Sequence, residues 1–391
     1  MPSQLPQRAQ VVVVGGGVMG TSAAFHLAEA GADVLLLERG QLGGGSTSKA
    51  AGGVRAQFSD ALNVQLGARG LEAFAAFGVR PGQDIDLHRT GYLFLLTGPD
   101  DVRAFTDAVA LQNRLGVPTR LLDAAEAARF APGLRTDDVL AATFHAGDGY
   151  CAPESVVLGY ARGARRLGAT VLPGVEVVGL DPRAGGTTWV ATTAGRVETG
   201  AVVCAAGAWS PQIGTMAGVD LPVTPLRRQI LVTEPLPDDV AAALPASMPM
   251  TIDAATTFYL HREGPGVLLG MSWAGEEPGY RMDVDEAWLP DLAAALERRA
   301  PILLDVGIAS RWAGLYEDTP DHNALLGEAD PAGGGRFLYA TGFSGHGFLQ
   351  GPAVGEILRD LYLGRTPFVD VGPLSADRFA RGAPRPERAI V

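Results

Sequence analysis

The spacing Gly15-x-Gly17-x-x-Gly20, followed by the acid Glu38, suits the holding of a dinucleotide. Gly15 permits a tight turn. Gly17 lets the backbone approach a pyrophosphate with no Cβ in the way, and Gly20 lets a helix lie close on a strand. Val18 and Met19 open that helix, whose free N–H groups and partial positive charge face the phosphates. Glu38 is placed to accept hydrogen bonds from an adenosine ribose, and its charge disfavours a 2′-phosphate, so NADP is not expected. Arg55 carries a guanidinium fork that suits a carboxylate, a phosphate or a structural ion pair. His346, between glycines, is either a base or a ring that packs and hydrogen-bonds. Lys49 is the single lysine among 31 basic residues. Cys151 and Cys204 form no C-x-x-C and belong to no His/Cys cluster, so neither a metal site nor a disulfide framework is expected.

These residues need elements to place them. Residues 10–14 are a β-branched run, too short for a helix and right for a buried parallel strand. Residues 18–30 read as a helix with Phe25, Leu27 and Ala28 on its apolar face and Gly31 as its stop. Residues 33–38 are a second buried strand tipped by Glu38. A glycine motif between strand and helix, with an acid ending the next strand, is far more specific than the motif alone. The first nine residues read as a loose polar leader.

Further on, an apolar stripe at 60–77, a strand at 88–96, helices at 100–115 and 123–130, and a strand and turn at 141–149 are expected. A helix at 153–168, strands at 171–172 and 174–180, a hairpin at 187–191 and 196–198, and a buried strand from 201 to Gly207 follow. From 222 the pattern alternates, with strands at 228–233, 257–261, 267–271 and 308–315 and a helix at 284–299, which predicts an antiparallel sheet. Residues 338–342 return to a parallel-strand character, and a helix is predicted over 352–363.

Residues 43–55, GGGSTSKAAGGVR, and 342–348, GFSGHGF, carry a resemblance, supported by 225–229, 311–316 and 319–323. Together they resemble the D-amino-acid oxidase/sarcosine oxidase (glycine oxidase-like) superfamily of FAD-dependent oxidoreductases. In motif the chain is closest to sarcosine oxidase beta-type and secondary-amine (proline/dimethylglycine-type) dehydrogenases. The resemblance implies an α/β fold (α+β overall), a Rossmann-type FAD-binding domain interleaved with a substrate domain built on an antiparallel sheet. The expected boundaries are 8–86, 145–216 and 325–375 for the FAD-binding domain, 87–144 and 217–324 for the substrate-binding domain, and a tail at 376–391.

It further implies FAD contacts from Arg39, Gly45, Ser46, Thr47 and Lys49 in the first loop, and from Val177 beside the adenine. Gly207 and Trp209, and then Gly342, Gly345, His346, Gly347 and Phe348, complete the cofactor set. Catalytic candidates are Lys49, Arg55, His346 and Tyr259, the last on a strand that lines the family's pocket together with Arg262. Three departures carry weight. Gly314 stands where monomeric sarcosine oxidases bond a cysteine to the flavin, so the FAD is expected to be non-covalent. Leu349 replaces a carboxylate-binding lysine, which leaves Arg55 for that role. Leu268 replaces a lysine that promotes reaction with oxygen, which leaves Lys49 as the chain's one ammonium near the flavin.

The implied function is oxidation of the C–N bond of an amino acid, a secondary or N-alkyl amine before a primary one. A hydride passes to flavin N5 and the imine then hydrolyses. A dehydrogenase using a quinone or carrier protein is favoured over an oxidase using O2. The alternatives are a D-amino-acid dehydrogenase or oxidase of the same fold and a non-catalytic FAD-binding assembly factor.

Composition sets outer bounds. The 391 residues, 47% hydrophobic and 19% charged, can bury a sizeable core. The formal charge of −12 opposes nucleic acid and anionic membrane as partners. His26, Glu29 and Asp33 interrupt the apolar stretch 11–37, so neither a signal peptide nor a transmembrane segment is expected. The sparse cysteines point to a cytoplasmic protein. A homo-oligomer or a subunit of a larger complex fits equally well.

Overall fold

The valine run forms the centre of the first of two large sheets. In the computed structural model, which describes residues 4–183, 185–331 and 334–387, the strand Arg8–Val14 runs parallel to Val34–Glu38 on one side and to Gly195–Cys204 on the other. The full order is Leu325–Ala329, Arg336–Thr341, Gly195–Cys204, Arg8–Val14, Val34–Glu38 and Thr170–Pro173, with the strand Thr187–Thr192 added to Gly195–Cys204 and Val177–Arg183 paired in turn with Thr187–Thr192. Alternate residues of the run face opposite sides, and both sides are covered. Val11 and Val13 pack with the helices Val18–Glu29, Pro153–Arg166 and Gly347–Tyr362, while Val12 and Val14 pack with Val190, Val197 and Ile213. This two-sided burial is why the run is apolar without alternation.

Parallel strands in one register end on one side. Gly15, Glu38, Gly207 and Gly342 all lie at or just beyond the C-terminal ends of their strands, the edge at which open α/β sheets bind ligands.

The second sheet has the order Ile308–Asp318, Thr224–Thr233, Gly266–Met271, Tyr259–Glu263, Met250–Asp253, Tyr92–Leu96, Ala141–His145 and Arg120–Asp123. Its pairs are antiparallel except one: Met250–Asp253 lies parallel to Tyr92–Leu96. That junction joins two remote parts of the chain, and its four-residue partner is too short to leave a period in the sequence. A short pair, Gly53–Val54 with Gly149–Tyr150, anchors the loop that carries Arg55.

Three local expectations are corrected. The polar leader is already strand from Arg8, because Arg8 and Ala9 take register with Glu198 and Thr199; residues 1–3 lie outside the described residues. The helix at 284–299 is a 3-10 turn, Glu286–Trp288, followed by the helix Leu289–Arg299. The helix placed at 352–363 runs Gly347–Tyr362, with Pro352 inside it. Pro352 is the sixth residue of the helix, where a proline removes the bond to the carbonyl four residues back, so the proline did not mark the helix start.

The tail is stapled down. Arg378 forks onto Asp321, and the Glu387 carboxylate accepts from Asp60 N at 3.0 Å and Asn63 Nδ2 at 2.9 Å at the start of the Ala61–Ala75 helix. The last part of the expected tail, 388–391, lies outside the described residues. Among the described residues no helix is long and apolar enough to cross a membrane.

Candidate functional site

A cavity of about 800 Å3 begins at the glycine turn and runs under the second sheet. Gly15 takes φ +111, and a Cβ there would run into the Ala205 carbonyl; Gly20 is pressed against the Gly15 carbonyl in the same way. Both glycines are demanded by the protein's own packing. Gly17 is different: a Cβ there would meet only Thr47 Oγ1, at 3.2 Å, and would project beside the cavity. Its missing side chain is explained by a ligand that comes close, which is the fit expected of a pyrophosphate.

Glu38 sits at the same mouth. Its two oxygens accept from Gly16 N and Gly40 N, each at 2.7 Å, which fixes the carboxylate and leaves one lone pair on each oxygen for a ribose. Val175 N donates to the Glu38 carbonyl at 2.9 Å and brings Val177 into the wall. The Arg39 Cζ lies over the Trp209 ring, 4.0 Å from its centroid, and Trp209 stacks on Tyr280. Glu38, Arg39, Val175, Val177 and Trp209 together form a shelf that lines this part of the cavity.

The loop 43–55 crosses the middle of the cavity. Thr47 Oγ1 accepts from Val18 N at 3.1 Å and so covers one free N–H of the helix start. Gly45, Ser46, Thr47 and Lys49 line the wall, as do Val18, Met19 and Gly207. The Lys49 carbonyl accepts from Trp312 Nε1 at 3.1 Å, and the Lys49 Cβ lies 2.5 Å from where a Cβ on Gly314 would stand. The strand can approach the loop there only as glycine.

From the far side come Gly345, His346, Gly347 and Phe348, at the start of the Gly347–Tyr362 helix, whose positive end points at the cavity. Gly345 takes φ +91, and a Cβ on it would strike the Tyr316 ring. Gly342 and Gly20 stand behind the wall: Gly342 turns the chain against Thr319. His346 is buried against Phe58, 5.0 Å edge to face, and its Nε2 has no partner among the described residues. Burial first, and then the charge of Arg55, lowers it to about 3. It is therefore neutral near pH 7, a weak proton acceptor and a usable hydrogen-bonding group.

The second sheet roofs this end with Arg228, Ile230, Met250, Ile252 and Tyr259. Gly270 is small where the Tyr259 ring crosses it. Tyr259, Tyr92 and Tyr316 are all raised by burial and stay neutral phenols. Arg55 is 3% exposed, lies 4.0 Å over the Phe58 ring, and donates Nη1 to the Gln57 carbonyl. Its loop is held by Asp148, fully buried, which accepts from Ala56 N at 2.9 Å and Gln57 Nε2 at 3.1 Å. Arg262 turns away and donates to the Leu244 carbonyl at 2.7 Å. Leu268 is 3% exposed among apolar neighbours. Both cysteines are buried, and burial raises both thiols. No cluster of His, Cys, Asp and Glu able to hold a metal occurs among the described residues.

Sequence reasoning missed several residues here. Tyr316, Arg228 and Glu317 lie in or beside segments that carry the resemblance, yet nothing in the sequence alone gave them a role. Strand alternation was the available signal, since Gly314 and Tyr316, and Arg228 and Ile230, each share a face. Glu317 accepts from Thr341 Oγ1 at 2.9 Å and Gly342 N at 3.1 Å, and burial raises it to about 7.

Comparison with known proteins accords with this geometry. The profile of the DAO family, described as FAD dependent oxidoreductase, matches residues 10–361. The chain is 31% identical to mitochondrial dimethylglycine dehydrogenase of Mus musculus over 97% of its own length and 45% of that protein's. Thus it spans about half the length of the dehydrogenase it matches. Among solved structures it is similar to L-proline dehydrogenase from P. horikoshii, with TM-score 0.89, 32% identity and coverage of 97% and 100% of the two chains. It is also similar to glycine oxidase from Geobacillus kaustophilus, with TM-score 0.84, 25% identity and coverage of 95% and 99%.

Proposed function

Because the chain belongs to the DAO family of FAD-dependent oxidoreductases, we propose that it oxidises the C–N bond of an N-alkylated amino acid. One observation carries the reading: a single cavity joins the dinucleotide shelf at Gly17 and Glu38 to a pocket of Arg55, Tyr259 and His346. The names of two relatives, dimethylglycine and L-proline dehydrogenase, add that an amine with alkylated nitrogen and a carboxylate suits this kind of site. FAD, when bound, supplies the two-electron acceptor for the hydride of the C–N carbon, and the resulting imine hydrolyses in water.

The protein's part is placement. Gly17 and the start of the Val18–Glu29 helix hold phosphate, and Glu38 holds ribose. The N-terminus of the Gly347–Tyr362 helix stabilises negative charge at the far end of the cofactor. Arg55 takes the substrate carboxylate, and the tyrosines exclude water around the amine. The FAD is non-covalent in this reading, since no cysteine stands at Gly314. The enzyme is a dehydrogenase in this reading, since Leu268 offers no cation to developing superoxide.

The test is anaerobic mixing of the yellow protein with N-alkyl amino acids and with amines that lack a carboxylate. The expected result is bleaching by the first group. Arg55→Gln should weaken their binding by about 30-fold or more and leave the second group unaffected; equal losses would assign Arg55 to the cofactor. Acid precipitation should release the flavin. Reoxidation in air should be slow in wild type and in Lys49→Met, and fast wild-type reoxidation would replace the dehydrogenase reading with an oxidase.

A further inference from the structure

Arg228 is a second guanidinium in the same cavity, and the proposed function leaves it unused. It stands in the strand Thr224–Thr233 opposite Gly314, and shares its face with Ile230, which also lines the cavity. Its guanidinium lies 4.9 Å from the centroid of the Tyr316 ring. Its Nη1 donates to the Arg227 carbonyl at 3.1 Å, while its buried Nε has no partner among the described residues.

Its neighbour in sequence makes the contrast. Arg227 faces the other way and is saturated by Glu276 at 2.9 Å and Asp285 at 2.9 Å. Arg228 has no ion-pair partner among the described residues; its charge acts on Asp318 against the effect of burial there, but the two do not come within 4.0 Å. A partly buried cation without a counter-ion is costly unless a ligand supplies the charge. Tyr316 feels both Arg228 and Arg55, so the two guanidinium groups border one pocket from different elements, one on the roof and one on the loop 43–55.

We propose that Arg228 is a specificity-determining residue that binds a second anionic group of the substrate. The preferred substrate is then an amino acid with one carboxylate for Arg55 and another on its nitrogen substituent or side chain. Arg228 stands on a strand of the second sheet, whereas Gly17 and Glu38 follow or end strands of the first.

This inference rests on the amino-acid reading, and one experiment tells their failures apart. Methylthioacetate and thiodiacetate mimic a one-carboxylate and a two-carboxylate amine, with a sulfur that replaces the oxidisable nitrogen centre. Each is titrated into the holoenzyme while the flavin absorbance is followed. Wild type should bind thiodiacetate about 30-fold more tightly than methylthioacetate, and Arg228→Met should remove that advantage while binding methylthioacetate as wild type does. FAD retention should be the same in both proteins. Equal wild-type affinities, or an Arg228→Met protein that weakens both probes alike or loses FAD, would overturn the inference alone. Failure of both probes to perturb the flavin would overturn the amino-acid reading and this inference with it.

Discussion

At the scale of single residues, the site depends on whether each polar group has its partner inside the protein or must find it in a ligand. Asp148 and Arg227 are satisfied internally and hold shape. The His346 Nε2 and the Arg228 Nε have no partner among the described residues, and in the proposed reading a ligand supplies one. Glu38 is both. Its bonds to Gly16 N and Gly40 N lock the glycine turn to the second strand, and the same oxygens remain able to accept from a ribose. Glu38→Ala removes both functions at once, and bonds to a charged acceptor are worth about 1.5–3 kcal/mol each. The variant should purify largely without flavin, with an FAD dissociation constant raised about 100-fold or more when measured by flavin fluorescence. Retention of FAD at the wild-type level would show that the carboxylate serves only the turn.

At the scale of elements, the legible parts were those in which one segment determines its own structure. The strand, glycine turn and helix over 10–30 is local: a β-branched run, a turn only glycine can make, and a helix stopped at Gly31. The roof was not legible in the same way. Arg228 faces Gly314 and Tyr316 only because the strands Thr224–Thr233 and Ile308–Asp318 pair in one register, and register between remote strands leaves no local mark. The start of the Gly347–Tyr362 helix was hidden for a related reason. His346 and Gly347 look like loop until Gly345, forced to φ +91 beside Tyr316, turns the chain into the helix. Gly345→Ala should therefore disturb loop and roof together. A methyl group there meets the Tyr316 ring in a backbone conformation that L-residues avoid, a cost of about 2–4 kcal/mol. The urea midpoint of the apoprotein should fall and FAD should bind weakly. An unchanged midpoint would mean that Tyr316 simply swings aside.

At the scale of the whole molecule, three helices from distant parts of the chain meet over the parallel sheet, and His26 sits where they meet. It is 1% exposed, its Nδ1 lies 2.8 Å from the Ser22 carbonyl, and Tyr160 and the Gly347–Tyr362 helix close around it. Its Nε2 has no hydrogen-bond partner among the described residues and stands 4.0 Å from Glu356. Burial is the dominant influence and lowers it from 6.5 to about 3, against the opposing pull of the Ser22 carbonyl. The unfolded chain thus takes up a proton near pH 6.5 that the folded protein refuses until about pH 3, so stability falls as pH drops through that window. Between pH 7 and pH 5 the loss from this one group is on the order of 2 kcal/mol. His346, lowered to about 3, and His261, lowered to about 4, add to the loss, while Glu317, raised to about 7, opposes it. All three remain in a His26→Gln variant and cancel in the comparison. Urea unfolding of wild type and variant at pH 7 and pH 5 should show the wild type losing more stability on acidification by about that amount. Equal losses in the two proteins would mean that His26 takes its proton inside the fold, with Glu356 drawn in as its partner.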